Sequence, residues 1–146
     1  MFKLLIEIVG TADCADIKAE IFLDKQCLAK YACSLVPCVL EITVPDQSGV
    51  HDLQITMAGK THQHTVVGDD GNIESDASIV ISRLEFEDID MMPIFCQGLR
   101  CYYHSHNDAS RLVEQDEFYG YIGCNGDVHI EFETPIYLWF NKHFCD

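Results

Sequence analysis

Positive charge is scarce in this sequence, which sets nine lysines and arginines against 24 aspartates and glutamates for a formal net charge of −15. A field of this sign repels phosphate backbones, and the few basic residues are scattered singly instead of forming a patch. The balance argues against nucleic acid as a partner. It favours a cation, a basic protein surface or simple solubility.

Long hydrophobic runs are also missing, and no stretch approaches the roughly 20 apolar residues that cross a bilayer, so no membrane partner is expected. The apolar start of the chain is short and is interrupted by Glu7, which predicts a first strand and not a signal peptide. We therefore expect synthesis in a cytosol. For the eight cysteines, that compartment favours buried, reduced thiols, with a few disulfides as the alternative.

Catalytic motifs are absent as well: the chain has no G-x-S-x-G, no phosphate-binding glycine loop and no H-E-x-x-H. Glu131 and Glu133 are two residues apart and so would lie on the same face of a strand, where a pair of carboxylates could catalyse glycoside hydrolysis. Such a pair more often belongs to a solvent-exposed strand face. The cysteines and histidines of residues 96–106 are close enough for zinc, yet their spacing is not that of a regular zinc site. We expect a protein that is not an enzyme.

What the sequence does contain is a clear alternation of apolar and polar residues between positions 50 and 89. A period of two places side chains on opposite faces of a strand, so one face is buried and the other is wet. The parity of the apolar positions changes between Ile81 and Leu84, which predicts one extra residue near Ser82 and Arg83, as a bulge or a bend. The buried positions that this pattern predicts are Leu53, Ile55, Met57, Ile79, Ile81, Leu84 and Phe86.

Turn signals recur about every ten residues, a cadence typical of all-β folds. The sequence predicts a single all-β domain over residues 1–146, an antiparallel two-sheet β-sandwich of jelly-roll type, favoured over a closed barrel. At most one short helix is expected, over residues 109–117, with Asn107 or Asp108 as its cap. The predicted strands are residues 2–9, 18–23, 38–44, 50–57, 61–67, 77–81, 83–89, 118–122, 128–133 and 136–140.

An acidic loop at residues 68–76 separates two of these strands. Asp69, Asp70, Asn72 and Asp76 offer oxygen atoms, and flanking glycines let the chain curl, so the loop is a candidate calcium site. The same residue types are also the best turn formers, so an ordinary solvated hairpin is the alternative.

The loop and its flanking strands, between residues 51 and 86, resemble the calcium-dependent xylan-binding carbohydrate modules, which are jelly-roll sandwiches. The matching features are a strand at residues 51–55, Gly68-Asp69-Asp70, Asn72-Ile73, Asp76 and a second alternating strand. The resemblance implies Asp69, Asp70, Asn72 and Asp76 as ligands of Ca²⁺, with a glycan as partner. The chain departs from these modules in lacking their basic loop residue and an evident disulfide pair.

The carboxyl end carries a second resemblance, through residues 118–126 and 133–139. These segments are similar to small virion-associated proteins of large tailed phages that infect marine cyanobacteria. The resemblance implies a structural virion component without catalytic residues, made in the host cytoplasm and assembled with other virion proteins as a multimer. The aromatic stretch 136–140, which includes Trp139, should complete the core or form an interface.

Two functions therefore stand side by side. The first is a non-enzymatic virion protein, as a head or tail decoration or a fibre-associated subunit. The alternative is a calcium-dependent carbohydrate-binding module or adhesin. The aromatic residues that would contact a sugar or a neighbouring subunit are Tyr102, Tyr103, Tyr119, Tyr121 and Trp139.

Overall fold

The computed structural model describes residues 1–45, 48–94, 101–104, 115–117, 120–123 and 125–144. The strands within these ranges are β1 (Phe2–Gly10), β2 (Cys14–Leu23), β3 (Gln26–Cys33), β4 (Cys38–Val44), β5 (Gly49–Ala58), β6 (Thr65–Val67), β7 (Ile73–Asp76), β8 (Ile79–Phe86), β9 (Ile89–Asp90), β10 (Cys101–His104), β11 (Gln115–Glu117), β12 (Tyr121–Ile122) and β13 (Gly126–Thr134). The helical segments are a 3₁₀ turn (His62–His64), the single turn α1 (Met92–Ile94) and α2 (Ile136–Phe144).

Two antiparallel sheets build the sandwich. The first has the order β12-β8-β1-β4, with β9 also paired to β8, and the second has the order β11-β10-β13-β5-β2-β3. A separate two-stranded sheet is formed by β6 and β7 alone, which make a hairpin that contains the acidic loop. The prediction of an all-β, antiparallel two-sheet sandwich is confirmed.

The core lies between the inner faces of the two sheets. Alternate residues of β1 are buried, and so are Leu53, Ile55 and Met57 of β5. The rings of Phe2, Phe86 and Phe132 meet at one end of this core, with centroids 5.0–5.8 Å apart in edge-on or tilted arrangements. Because burying one such side chain contributes about 1.5–3 kcal/mol, this aromatic group is a large part of what holds the sheets together.

The parity change in β8 is a bulge. Glu7 of β1 faces Arg83, whereas the next residue, Ile8, faces Ile81, so Ser82 is the extra residue. Ser82 and Arg83 are exposed, and Ile81 and Leu84 on either side of them are buried. The bulge predicted near Ser82 and Arg83 is therefore confirmed, as are all seven buried positions predicted from the alternation.

The strand predicted over residues 136–140 is wrong, because these residues begin helix α2. Pro135 has no N–H to continue the β13 ladder, and its carbonyl accepts hydrogen bonds from the backbone N–H groups of Leu138 and Trp139. The buried residues Ile136 and Trp139 are three apart, as one face of a helix requires. Trp139 is 5% exposed, and its ring centroid lies 6.2 Å from that of Phe86. Trp139 therefore belongs to the core, which is one of the two alternatives that the sequence predicts for it.

The helix predicted over residues 109–117 is also wrong in the part that can be compared. Gln115–Glu117 form strand β11, paired with β10, because they complete the edge of the second sheet. Residues 109–114 lie outside the described ranges. No helix among the described residues is long and apolar enough to span a membrane.

Replacing Trp139 by alanine should test the contribution of α2 to the core. We expect Trp139→Ala to lower the free energy of unfolding by about 3–5 kcal/mol, the usual cost of removing a large buried aromatic side chain. The free energy of unfolding is measured by urea denaturation, with circular dichroism as the signal. Tyr137→Ala is the matched control, since Tyr137 lies on the same helix but is 65% exposed and should change stability by less than about 0.5 kcal/mol. Equal effects of the two substitutions would contradict the burial of Trp139.

Candidate functional site

A lysine at the end of β5 organises the most connected polar cluster among the described residues. Gly59 follows the strand with φ of +91°, and a Cβ atom there would lie 2.1 Å from the Asp16 carbonyl oxygen, so only glycine fits this turn. Lys60 comes next. The side-chain amide of Asn125 donates to the Lys60 carbonyl and accepts from the Lys60 N–H, both at 2.9 Å, and so fixes its backbone.

The Lys60 side chain is 10% exposed, and its ammonium group reaches three oxygen atoms. Nζ lies 2.6 Å from Asp76 Oδ1, 2.6 Å from the Gly123 carbonyl oxygen and 3.3 Å from Ser78 Oγ. An ammonium group has three N–H donors, so these three contacts satisfy it fully. One cation thereby joins the end of β7, the start of β8 and the turn after β12.

Asp76 is the anionic partner. Besides Lys60, it accepts a hydrogen bond from Thr65 Oγ1 at 2.7 Å, which ties β7 to β6. Burial raises the pKa of Asp76, but hydrogen bonds from Lys60 and Thr65, together with the charge of Lys60, outweigh burial and leave the pKa below its usual value. The carboxylate is therefore ionised at neutral pH and engaged with the chain.

Tyr121 completes this group, which we name the Lys60 cluster and define as Lys60, Thr65, Asp76, Ser78 and Tyr121. The Tyr121 hydroxyl donates to Ser78 Oγ at 2.7 Å and lies 3.4 Å from Asp76 Oδ2. Gly123 lies against the ring, since a Cβ at that position would be 2.8 Å from Tyr121 Cε1. Tyr121 is nevertheless 49% exposed. The Tyr121 ring is thus held at its hydroxyl, is contacted by Gly123 and is about half exposed to solvent.

The side chains of Ser78, Lys60 and Tyr121 are the types that can form a nucleophile with its base, but the geometry does not suit that chemistry. Ser78 is fully buried, so no substrate reaches its hydroxyl. Lys60 Nζ is engaged with the Asp76 carboxylate at 2.6 Å and with the Gly123 carbonyl oxygen, so it is not placed to act as a base toward serine. The contacts of the cluster tether the β6–β7 hairpin to the sandwich.

A second cluster has the order carboxylate, imidazole, hydroxyl. Asp24 Oδ2 lies 2.7 Å from His51 Nδ1, and His51 Nε2 lies 3.0 Å from Thr134 Oγ1. This is the order of a hydrolytic triad, but Thr134 is only 4% exposed and the His51 ring stacks on Phe132 at 5.2 Å. The cluster covers the aromatic end of the core instead of facing a substrate.

The four predicted calcium ligands are not all brought together. Asp70 and Asn72 meet at the tip of the hairpin, where Asp70 Oδ1 accepts from the Asn72 N–H and Oδ2 accepts from the Asn72 side-chain amide, both at 3.0 Å. These backbone and side-chain hydrogen bonds lower the pKa of Asp70. Asp76 lies apart, in the Lys60 cluster, and Asp69 lies in the turn between β6 and β7. No group of three histidine, cysteine, aspartate or glutamate side chains in the described part of the chain could hold a metal ion.

The predicted aromatic residues are spread over the fold. Tyr121 is exposed at the Lys60 cluster and Trp139 is in the core. Tyr102 and Tyr103 lie in β10, whereas Tyr119 lies outside the described residues, as does most of the segment 96–106 considered for zinc. Of the residues predicted from the sequence, Asp76 and Tyr121 lie in the Lys60 cluster, whereas its members Lys60 and Ser78 were not predicted. The available signal was the rarity of lysine in so acidic a chain, which makes a lysine at a strand end a candidate ion-pair partner.

Removing the Lys60 charge should destabilise the fold by leaving Asp76 without its partner. We expect Lys60→Met to lower the free energy of unfolding at pH 7 by about 1.5–3 kcal/mol, the usual contribution of hydrogen bonds to a charged group. Because the folded pKa of Asp76 is depressed, its stabilisation is present above the ordinary carboxyl pKa of 3.8 and is lost as the pH falls through the lower folded value. Denaturation from pH 7 to pH 3 should therefore show a smaller loss of stability on acidification for Lys60→Met than for the parent. A Lys60→Met/Asp76→Leu double variant should recover part of the loss, and no recovery would contradict the pairing.

Comparison with known proteins finds likeness only at the level of structure. No protein-family model matches the chain, and no curated protein matches it. Among solved structures, the selenomethionine form of vCBM60 aligns over 88% of this chain and 89% of its own, with a TM-score of 0.51 and 5% identity. That structure is described with two families of calcium-dependent carbohydrate binding modules linked by circular permutation. A vCBM60 complex with galactobiose aligns over 87% of this chain and 95% of its own, with a TM-score of 0.48 and 6% identity. At such identity the first likeness establishes a shared β-sandwich fold.

Proposed function

We propose that the protein is a non-enzymatic carbohydrate-binding β-sandwich in which Tyr121 contacts the sugar. The observation that carries this proposal is the Tyr121 ring, half exposed and held by its hydroxyl beside the Lys60–Asp76 ion pair. This is the alternative that the sequence offered beside a virion role.

The physical basis is the complementarity of a sugar to this pair of features. The C–H groups of a pyranose ring are weakly positive and are attracted to the negative face of an aromatic ring. Because the Tyr121 hydroxyl already donates to Ser78, the ring loses little conformational freedom on binding. The Asp76 side chain is 26% exposed, and its carboxylate can accept hydrogen bonds from sugar hydroxyls at the edge of the ring.

The shared fold adds support, since the structural neighbour is described as a calcium-dependent carbohydrate binding module. Calcium itself fits poorly. The oxygen atoms of Asp70 and Asp76 accept hydrogen bonds or an ion pair from the chain, so these contacts would have to rearrange before Asp69, Asp70, Asn72 and Asp76 could contribute to the six- to eight-oxygen shell that Ca²⁺ takes. We propose sugar contacts made by the protein's own groups.

A virion role is compatible with this proposal, since a particle protein that binds glycans would be an adhesin. Virion location, assembly with other virion proteins and multimeric state remain predictions from the carboxyl-terminal resemblance. The likeness to carbohydrate binding modules does not bear on them.

Sugar binding can be tested by affinity electrophoresis of the full chain in gels that contain xylan, galactan or another single polysaccharide. We expect at least one polysaccharide to retard the protein and Tyr121→Ala to weaken that retardation about tenfold, the equivalent of a lost aromatic contact. Tyr121→Phe, which keeps the ring, should retain most of the binding. Tyr137→Ala is the control, because Tyr137 is an exposed tyrosine that is not part of the cluster. Unchanged migration in every gel, or full binding by a folded Tyr121→Ala variant, would overturn the proposal.

The calcium requirement is tested separately by thermal unfolding and by the same gels with chelator. Because the chain occupies the Asp70 and Asp76 oxygen atoms, we expect equal melting temperatures with millimolar calcium and with chelator, and sugar binding in both. A melting temperature raised by calcium in the parent but not in Asp70→Ala would instead establish the metal site predicted from the sequence.

A further inference from the structure

Two cysteines face each other across the β2–β3 ladder. In the register of these strands, Cys14 is the direct partner of Cys33. Directly opposed residues of antiparallel strands have Cα atoms about 4.5–5.5 Å apart, and a disulfide needs about 4.4–6.8 Å. The register shifts between Cys14 and Lys18, but the pairing of Cys14 with Cys33 opposes the two backbones in the way that a cross-strand disulfide needs.

The other described cysteines have different partners. Cys27 faces Phe22 in the same ladder, Cys38 faces Ile8 across the β1–β4 ladder, and Cys101 of β10 faces Glu117 and His129. Cys14, Cys27, Cys33 and Cys38 are free thiols in the structure. Within the described ranges, the register thus opposes one pair of cysteines, Cys14 and Cys33.

The two thiols differ in access. Cys14 is half-buried, whereas Cys33 is 2% exposed and its Sγ lies 3.3 Å from the Ala12 carbonyl oxygen, to which the thiol donates. Burial raises the pKa of Cys33, and this outweighs hydrogen bonds from neighbouring backbone groups. An external disulfide would therefore react first with the more accessible Cys14.

We propose that Cys14 and Cys33 are a dithiol site that closes to an intramolecular disulfide when the folded protein meets a small-molecule disulfide such as oxidised glutathione. The Cys14 thiolate attacks one glutathione sulfur, forms a mixed disulfide and releases one glutathione thiolate. Cys33 gives its proton to solvent, and its thiolate attacks the Cys14 sulfur and expels the second glutathione. The two protein thiols lose two electrons and two protons, and oxidised glutathione becomes two glutathione molecules.

The bond would change the surroundings of the Lys60 cluster. The Cys33 thiol also lies 3.6 Å from the carbonyl oxygen of Ser78, a member of that cluster, and oxidation removes this donor. The link would also fasten β3, an edge strand of the second sheet, to β2. By restricting the unfolded chain between residues 14 and 33, it should raise the melting temperature.

The test is to incubate the folded, full-length protein with oxidised glutathione, block remaining thiols, digest without reductant and map the linked peptides by mass spectrometry. We expect a linkage of Cys14 to Cys33 with the loss of two hydrogens, and a higher melting temperature that reductant reverses. Cys14→Ser should abolish both results, whereas the matched controls Cys27→Ser and Cys38→Ser should keep them.

Mapping the disulfide-linked peptides of the parent protein tests the proposal even if a cysteine variant folds poorly. Linkage of Cys14 or Cys33 to a different cysteine, or a reaction that stops at a glutathione adduct on Cys14, would overturn the proposal. So would recovery of both residues as free thiols after exposure to a large excess of oxidised glutathione.

Discussion

The contacts of the Lys60 ammonium group are the interaction on which the polar cluster at this end of the sandwich depends. Its three contacts, to Asp76, Ser78 and the Gly123 carbonyl oxygen, join segments that are far apart in sequence. In a chain with a net charge of −15, Lys60 provides one of the few positive charges, and its side chain is only 10% exposed. The cation holds Asp76 and Ser78, and these two residues in turn hold the hydroxyl of Tyr121.

The fold was predictable from the sequence in strands that have one face buried and the other exposed to solvent. In β5 and β8 the alternation of apolar and polar residues identified the buried positions, and the change of parity located the bulge near Ser82. The prediction failed at residues 136–140, where all five side chains are apolar. A uniformly apolar stretch has no period, so burial of Ile136 and Trp139 on a helix could not be told from burial on a strand. Pro135, which cannot extend the β13 ladder, was the available signal.

The candidate site was less predictable because its contacts join distant parts of the sequence. Composition could mark Asp76 as an acid in a turn and Tyr121 as an exposed aromatic residue, but it could not place them 3.4 Å apart. The acidic loop shows the opposite case. Its pattern of aspartate, asparagine and glycine fits both a cation site and a hairpin turn, and only the hydrogen bonds between Asp70 and Asn72 show that the local turn uses those oxygen atoms.

The β6–β7 hairpin is a sheet of its own, and Val66, Val67 and Ile73 on it are exposed. Its ladder hydrogen bonds run between its own two strands, so the register of the sandwich does not depend on its length or composition. Selection can therefore act on the tip while Asp76 keeps the base attached. Such a separation of a loop from the scaffold lets the loop change in sequence at little risk to folding. By the same reasoning, the hairpin tip is the natural place for an engineer to insert a foreign binding sequence.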